Sequence, residues 1–375
     1  MKTDRAPIKA PEVAAEKLQR LVDRLASKQR FGHAVMGVER GDGSFSWRGA
    51  AGVANLEGAP MTPETPFFLA SVTKLYIATI VLQLHEEGRV DLDLPMSTYL
   101  GNERVAGLHR VGAVDHTPEI TTFHLLSHTS GLNDYMEGKP DGEKSLYQQI
   151  VEGNDLSWSF DDVLRISRDR LHPHFPPRAP TSGRRKGRYS DTGFQLLIAI
   201  IEESTGASFA SVLEQRIIRP LELRQTWLPG NSEPLDPVAV KTDIWSNNRP
   251  LAIPNAMASF NDLYASVEDA LRFLAALTRG ELFRGAPTYR LMAERRNRVI
   301  WPVIYYGLGM MNFKIGRLNA PGLRPLTLVG HTGASGSWLF HCPELDVFTA
   351  GTVDEVKARA FPFRFIPKVL RTIFR

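Results

Sequence analysis

The sequence predicts an α/β fold: an antiparallel sheet flanked by helices, with an inserted, mostly helical region. Three observations carry this. Short apolar runs separated by turn residues lie near both ends of the 375-residue chain, and the middle reads as helices. Hydrophobic residues make up 43% and charged residues 23%, which suits a soluble chain that buries a large core. Strands at the two ends need hydrogen-bonding partners, and joining one sheet supplies them, leaving the middle as an insertion. The expected layout is one domain over 12–355, with its sheet region in 12–70 and 255–355 and its helical insertion at about 75–250. A basic C-terminal helix over 356–375 is expected to pack on the sheet.

Residues 12–29 place Val13, Leu18, Leu21, Val22 and Leu25 at helical spacing with charges between them, which predicts an amphipathic helix. The runs 31–38 and 44–53, divided by Gly41, Asp42 and Gly43, predict a β-hairpin. Over 71–87 the chain is apolar on nearly every side and closes at Gly88, so this helix is expected to be central and buried. Short helices follow, clearest over 120–128, 159–167, 192–204 and 208–218. The stretch 171–188 is rich in Pro, Arg and Gly and predicts an exposed loop. After a loop region at 229–254, Ser266 caps a helix over 266–279 with Glu268 and Asp269 in its first turn. Strand-like runs occupy 306–315, 326–331, 337–341 and 346–353, and 361–374 predicts a helix against the sheet.

Lys and Arg exceed Asp and Glu by 45 to 41, and a net charge of +4 is too small to point to nucleic acid. The basic cluster Arg184, Arg185, Lys186 and Arg188 reads as a solvated loop, and the basic residues of 357–375 read as the polar face of the terminal helix. The single cysteine, Cys342, excludes an internal disulfide and a cysteine-based metal cage, and reads as a small buried apolar residue. No segment approaches 18 uninterrupted apolar residues, so no membrane span is expected. Residues 1–7 lack the apolar run of a secretory leader, and the expected location is cytoplasmic.

Ser71-Val72-Thr73-Lys74 stands where a loop enters the buried helix. Residues three apart on a helix share a face, so the Ser71 hydroxyl and the Lys74 amine come within hydrogen-bond reach. Apolar surroundings and the positive end of the helix dipole both disfavour an ammonium there. Lys74 is therefore expected to have a lowered pKa and to accept the Ser71 proton, the activation a hydroxyl nucleophile needs. An N-cap serine followed by a snorkelling lysine gives the same string.

Further motifs make the chemical reading the stronger one. Phe68-Leu69-Ala70-Ser71-Val72-Thr73-Lys74 resembles the first motif of the class C β-lactamase and penicillin-binding-protein superfamily. The segment from Ile120 to Leu132, with its LLSHTSGL core, is similar to a string characteristic of the class C-like branch, in which His128 and Ser130 are read as structural. Tyr189-Ser190-Asp191 occupies the place of the Y-x-N motif, and Gly330-His331-Thr332-Gly333 resembles the K-T-G or H-x-G strand. The resemblance covers roughly 31–353 and implies a β-lactamase/transpeptidase-like fold.

It also implies roles. Ser71 would be the nucleophile, Lys74 its partner, and Tyr189 the general acid and base, with the Tyr189 phenol brought toward neutral pH by the charge of Lys74. The amides of Ser71 and Ala334 would form an oxyanion hole, and Asp191, His331, Thr332 and Gly333 would bind substrate. The chain departs from the pattern at four places. Asp191 replaces Asn, and a carboxylate cannot donate as an amide can. His331 replaces Lys and supplies no obligatory positive charge for a substrate carboxylate. No Pro-Gly pair occurs in 178–188, and Phe260-Asn261-Asp262-Leu263 replaces a Gly-Gly pair.

His172-Pro173-His174 and His341-Cys342 juxtapose metal-ligating residue types, but no HExxH or paired-Cys pattern exists, so no metal is expected. There is no GxSxG elbow and no phosphate-cradling glycine pattern, so no cofactor is expected. The leading expectation is a serine hydrolase of carboxylesterase type, acting on a small ester or amide through a Ser71 acyl-enzyme. A β-lactamase, a D-alanyl-D-alanine carboxypeptidase or a D-aminopeptidase is the alternative. An inert binding protein on the same fold is an alternative of another class, and retention of Ser71, Lys74 and Tyr189 argues against it. The partner is a small ester, amide or lactam, and the sequence carries no signal for an oligomeric state.

Overall fold

Alternation along the strands sets the two faces of the central sheet. The structure, a computed structural model, describes residues 8, 10–27, 31–178, 187–247, 249–294, 297–300, 304–317 and 322–374. Within them the strands are β1 (His33–Arg40), β2 (Ser46–Gly52), β3 (Asn297–Ile300), β4 (Ile304–Tyr306), β5 (Met311–Ile315), β6 (Leu326–Thr332), β7 (Trp338–Cys342) and β8 (Val347–Thr352). They form one 8-stranded sheet in the order β2-β1-β8-β7-β6-β5-β4-β3, and every neighbouring pair is antiparallel. The first strand and the last lie side by side, Val35 opposite Thr352 and Arg40 opposite Val347, so the two ends of the chain share the sheet.

The helices that support the site are α1 (Pro11–Leu25), α2 (Lys74–Glu86), α3 (Thr122–Leu126), α4 (Asp191–Thr205), α5 (Val267–Arg279) and α6 (Phe361–Phe374). Ala34, Met36 and Val38 of β1, with Trp338 and Phe340 of β7, bury one sheet face against α1 and α6. Val35, Leu339 and Ala350 point the opposite way and join α2, α4 and α5 in a second core. Helix α5 lies so close to β1 that a Cβ on Gly37 would come 2.3 Å from Val267 Cγ1. Helix α2 is buried from Lys74 to Leu82 without a break, and the Tyr76 ring stacks on Phe273 of α5 with centroids 3.5 Å apart. A helix that is apolar all round fits only such a place, between two layers.

Two expectations change. The run 306–315 is not one strand: β4 and β5 are joined by a tight turn in which Gly307 N–H donates to Met310 O at 2.7 Å, with Gly309 at φ +72°. Leu308 and Met310 are buried inside that turn, which disguised it as strand. The loop 171–188 is less free than its composition suggests. Its described part is tied to the LLSHTSGL segment by His174 N–H to Gly131 O at 2.8 Å and Arg178 N–H to Thr129 O at 3.1 Å. Arg184, Arg185 and Lys186 lie outside the described residues. Cys342 is buried, and burial with the nearby Glu344 carboxylate pushes its thiol up to about 12. No single helix among the described residues is long and apolar enough to cross a membrane.

Candidate active site

Four pieces of chain converge at the head of α2. The first is the entry to the helix. Phe67–Phe68 pairs with Tyr264–Ala265, and Leu69 N–H donates to Leu263 O at 2.8 Å, which anchors the chain just before Ser71. Ala70 then takes φ +47°, a left-handed conformation costly for a residue with a Cβ, and the chain turns through Ala70–Thr73 into α2. Ser71 leads that turn, and Lys74 Nζ donates to Ser71 Oγ at 3.1 Å. Helix and hydroxyl are thus placed as the three-residue spacing predicts.

The second piece is the turn between β6 and β7. Gly333 N–H donates to Ser337 O at 2.9 Å, Ser337 Oγ–H to Leu69 O at 2.8 Å and Ser335 Oγ–H to Phe68 O at 3.0 Å. These bonds clamp the turn that carries Ala334 against the stretch of chain leading to Ser71. A Cβ on Gly333 would lie 2.4 Å from Leu69 O, so only glycine permits the approach. Outside the helices and strands, neither the Ser71 nor the Ala334 amide donates to a backbone carbonyl among the described residues.

The third piece is the start of α4. Ser190 Oγ accepts from Gly193 N–H at 3.3 Å as N-cap and donates to Asn133 O at 2.6 Å. Tyr189, one residue earlier, shares a hydrogen bond with Ser71. Lys74 Nζ lies 5.3 Å from the centroid of the Tyr189 ring. Asp191 Oδ1 stands 2.6 Å from Lys74 Nζ, and Asp191 N–H donates to Asp134 Oδ2 at 3.1 Å. The fourth piece is the LLSHTSGL segment after α3. His128, at φ +55°, accepts at Nδ1 from Ser190 N–H at 3.3 Å, and its ring lies 4.4 Å from those of Tyr189 and Tyr306. Burial and the Lys74 charge hold its pKa well below the usual imidazole value.

Three expectations need correction. Lys74 was expected to shed its proton. Burial does favour the neutral amine, but the charges of Asp191 and Asp262, with the bond to Asp191, outweigh it and raise the pKa above the ordinary lysine value. The Tyr189 phenol was expected to be drawn down by Lys74. Burial and the Asp191 carboxylate instead push it well above the ordinary value, the bond with Ser71 opposing them. His331 was expected to touch substrate. It is 0% exposed and lies behind the cavity wall, where its Nδ1–H donates to Thr332 O at 2.7 Å and its Nε2 accepts from the Tyr306 hydroxyl at 2.8 Å. Burial first, then Lys74, lowers its pKa to about 3, so it is neutral near pH 7.

Ser71, Lys74, Tyr189, Asp191, Thr332, Gly333 and Ala334 all line one cavity of about 940 Å³. Three carboxyl groups to which the sequence reading gave no chemical role line it too, Asp134, Glu137 and Asp262. Asp262 is held there by the ribbon Phe67–Phe68/Tyr264–Ala265 and bonds to Thr73; burial raises its pKa most, Lys74 opposes, Asp191 adds, and the result is about 7. Asp134 accepts from Met136, Glu137 and Asp191 amides, and burial with Asp191 raises its pKa. Replacement of the Gly-Gly pair by Phe260-Asn261-Asp262-Leu263 was the only sequence signal for Asp262, and Asp134 was marked only as the start of the loop 134–145, expected to help line the pocket. Among the described residues no three His, Cys, Asp or Glu side chains are arranged to hold a metal ion.

Comparison with known proteins places this geometry in context. Residues 18–360 match the family model described as Beta-lactamase. Over 214 residues the chain is 35% identical to esterase EstB of Burkholderia gladioli, covering 56% of this chain and 50% of that protein. Over 216 residues it is 28% identical to penicillin-binding protein 4* of Bacillus subtilis, covering 56% and 40%. The chain thus spans about half the length, or less, of these curated relatives. Among solved structures, a D-stereospecific amidohydrolase from Streptomyces superposes with TM-score 0.71 at 25% identity, covering 98% of this chain and 99% of that one.

Proposed function

We propose that this chain, which belongs to the Beta-lactamase family, is a serine hydrolase that cleaves esters of small apolar substrates through an acyl-enzyme on Ser71. The observation that carries the proposal is the 3.1 Å contact of Lys74 Nζ with Ser71 Oγ, beside a tyrosine hydroxyl bonded to the same serine. Ser71 Oγ attacks the carbonyl carbon, and its proton enters the Lys74–Tyr189 network. The carbonyl oxygen becomes an oxyanion between the amides of Ser71 and Ala334. Collapse expels the alkoxide, which takes a proton from Tyr189, and water then attacks the acyl-enzyme by the same steps in reverse order.

Charge and shape favour an ester over a lactam or a peptide with a free C-terminus. Lys74, the cation beside Ser71, is paired with Asp191, and His331 is neutral. Among the described residues, the other cations lining the cavity, Lys139, Arg188 and Arg359, are exposed to solvent. A substrate carboxylate next to the scissile bond would therefore meet Asp134, Asp191 and Asp262 around the one cation beside Ser71, which is already paired, an expensive arrangement away from water. Apolar side chains, Ile244, Leu251, Ile253 and Phe260, line the lobe next to Phe68.

A second reading, cleavage of D-amino-acid amides, draws on the same carboxyl groups, which would attract a substrate ammonium. Rates with p-nitrophenyl esters, nitrocefin, D-alanyl-D-alanine peptides and D-amino-acid amides separate these activities. The proposal expects ester turnover that Ser71→Ala abolishes, and a fluorophosphonate adduct on Ser71 by mass spectrometry. Rapid nitrocefin turnover with silent esters would reverse the ordering.

A further inference from the structure

We propose that Asp191 is the final acceptor of the nucleophile's proton, with Lys74 as the relay between Ser71 and Asp191. The inference rests on the reading of Ser71 as nucleophile and deepens it. An ammonium has no lone pair, so Lys74 can take the serine proton only by giving one of its own away. The distances define the path: 3.1 Å from Nζ to Ser71 Oγ on one side and 2.6 Å from Nζ to Asp191 Oδ1 on the other.

The other groups around Lys74 are already committed. The two histidines each have one acceptor nitrogen when neutral, and both are used. His128 Nδ1 takes the Ser190 amide proton, and His331 Nε2 takes the Tyr306 hydroxyl proton. Tyr189 is a phenol that already carries its proton, and it is hydrogen-bonded with Ser71 itself. Asp134 accepts three backbone amides, and Asp262 is turned to Thr73. Tyr135 also faces this group of charges from the loop, and its main chain is fixed by Tyr135 N–H donating to Thr192 Oγ1 at 2.9 Å. Among the described residues, Asp191 is left as the one carboxylate in contact with the ammonium.

The step balances. The Oγ–H bond of Ser71 breaks as Oγ bonds to the carbonyl carbon. That proton goes to Nζ, and one Nζ proton goes to Asp191 Oδ1. Lys74 remains an ammonium, Asp191 becomes a carboxylic acid, and the negative charge resides on the new oxyanion. The transfer is driven by the bond that Oγ forms with the carbonyl carbon: the charge given up by Asp191 reappears on the oxyanion, where the Ser71 and Ala334 amides and the Lys74 ammonium offset it. On collapse the proton returns through Lys74 and leaves with the alkoxide by way of Tyr189.

This makes Asp191 a positioning and proton-holding residue, acting through Lys74. It also turns the Asn-to-Asp departure from the family motif into part of the chemistry.

The test compares wild type, Asp191→Asn and Asp191→Glu by kcat and KM for p-nitrophenyl butyrate across pH 6 to 10, and by the rate of Ser71 labelling with a fluorophosphonate. Asp191→Asn keeps the shape and cannot take a proton. It is expected to lower kcat at pH 7 by about 10²–10³-fold, in the range of a lost general base, with little change in KM. Its residual rate should climb about tenfold per pH unit, because Lys74 must now lose its proton first. Asp191→Glu should restore a flat profile. Asp191→Asn labelled as fast as wild type, or active with a wild-type pH profile, would overturn the inference and leave the serine-hydrolase reading standing. A wild-type protein whose Ser71 is not labelled would overturn both.

Discussion

Leu263 donates its backbone N–H to Thr73 Oγ1 at 2.9 Å, and this bond ties the residue after Asp262 to the turn that carries Ser71. Residues nearly two hundred positions apart are thereby held in one geometry, and a carboxyl group enters the cavity next to Lys74. The site is charged, half-buried and expensive to hold together, as catalytic sites that depend on perturbed groups often are.

Asp262 supplies a measurable part of that expense. Its pKa is about 7 when folded, against about 3.9 for an unperturbed Asp. The folded protein holds this proton more tightly, so the group's stabilising effect is full below about pH 4 and is lost as pH rises through about 7. Asp262→Asn should melt at the wild-type temperature near pH 4 and several degrees higher at pH 8. Thermal melts across that range check it, and a variant less stable than wild type at pH 8 would contradict the assignment.

His331 titrates in the opposite sense. Its pKa falls to about 3 on folding, from about 6.5. Stability is therefore fully present above about pH 6.5 and is lost as pH falls toward 3. His331→Gln should flatten that acid loss, and His331→Leu, which leaves the Tyr306 hydroxyl without its acceptor, should cost about 1–3 kcal/mol at pH 7. Neither should move KM by more than about twofold, because the ring does not reach the cavity. A large KM change with unaltered stability would return His331 to the substrate.

The outcome at His331 illustrates what the sequence could and could not reveal. Sheet, buried helix and terminal helix were legible because each rests on a local pattern: apolar runs bounded by turn residues in β1 and β7, an all-apolar run in α2 and a basic, apolar run in α6. The Ser71–Lys74 contact was legible for the same reason, as it depends only on helical spacing. What failed was long-range. The charge on Lys74 is decided by Asp191, more than a hundred residues away, and by Asp262, farther still. Whether His331 faces substrate or core is decided by Tyr306, on a strand the sequence had fused with its neighbour. No window of sequence contains those pairs.

Gly333 tests the oxyanion pocket. An added Cβ would lie 2.1 Å from Ser337 Oγ and 2.4 Å from Leu69 O, the two atoms of the bond that clamps the turn. Gly333→Ala should push Ala334 away from Ser71 and lower kcat by about 10²–10³-fold, the effect of losing one oxyanion donor. Ester kinetics on folded variant protein check this, and wild-type kcat would remove Ala334 from the mechanism.

The apolar lobe should set acyl selectivity. Tyr189, the proposed donor to the leaving alkoxide, packs with the core that includes α6, whereas Ala334, Phe260, Ile244 and Ile253 belong to a separate apolar cluster that also contains Ala70. The leaving group should therefore lie toward Tyr189 and the acyl group toward that cluster. Phe68 and Phe260 face each other there with centroids 6.0 Å apart, and Leu251 N–H donates to Ile244 O at 2.8 Å, fixing the lobe's wall. Each buried methylene is worth up to about 0.8 kcal/mol, so two carbons added to the acyl chain should raise kcat/KM by about tenfold while the lobe has room. With p-nitrophenyl esters from acetate to decanoate, kcat/KM should rise from acetate into the medium chains. Leu251→Trp, at a partly exposed position, should fill the lobe, move the optimum toward acetate and leave the acetate rate near wild type. A flat chain-length profile in wild type, or the same optimum in the variant, would place the acyl group elsewhere in the cavity.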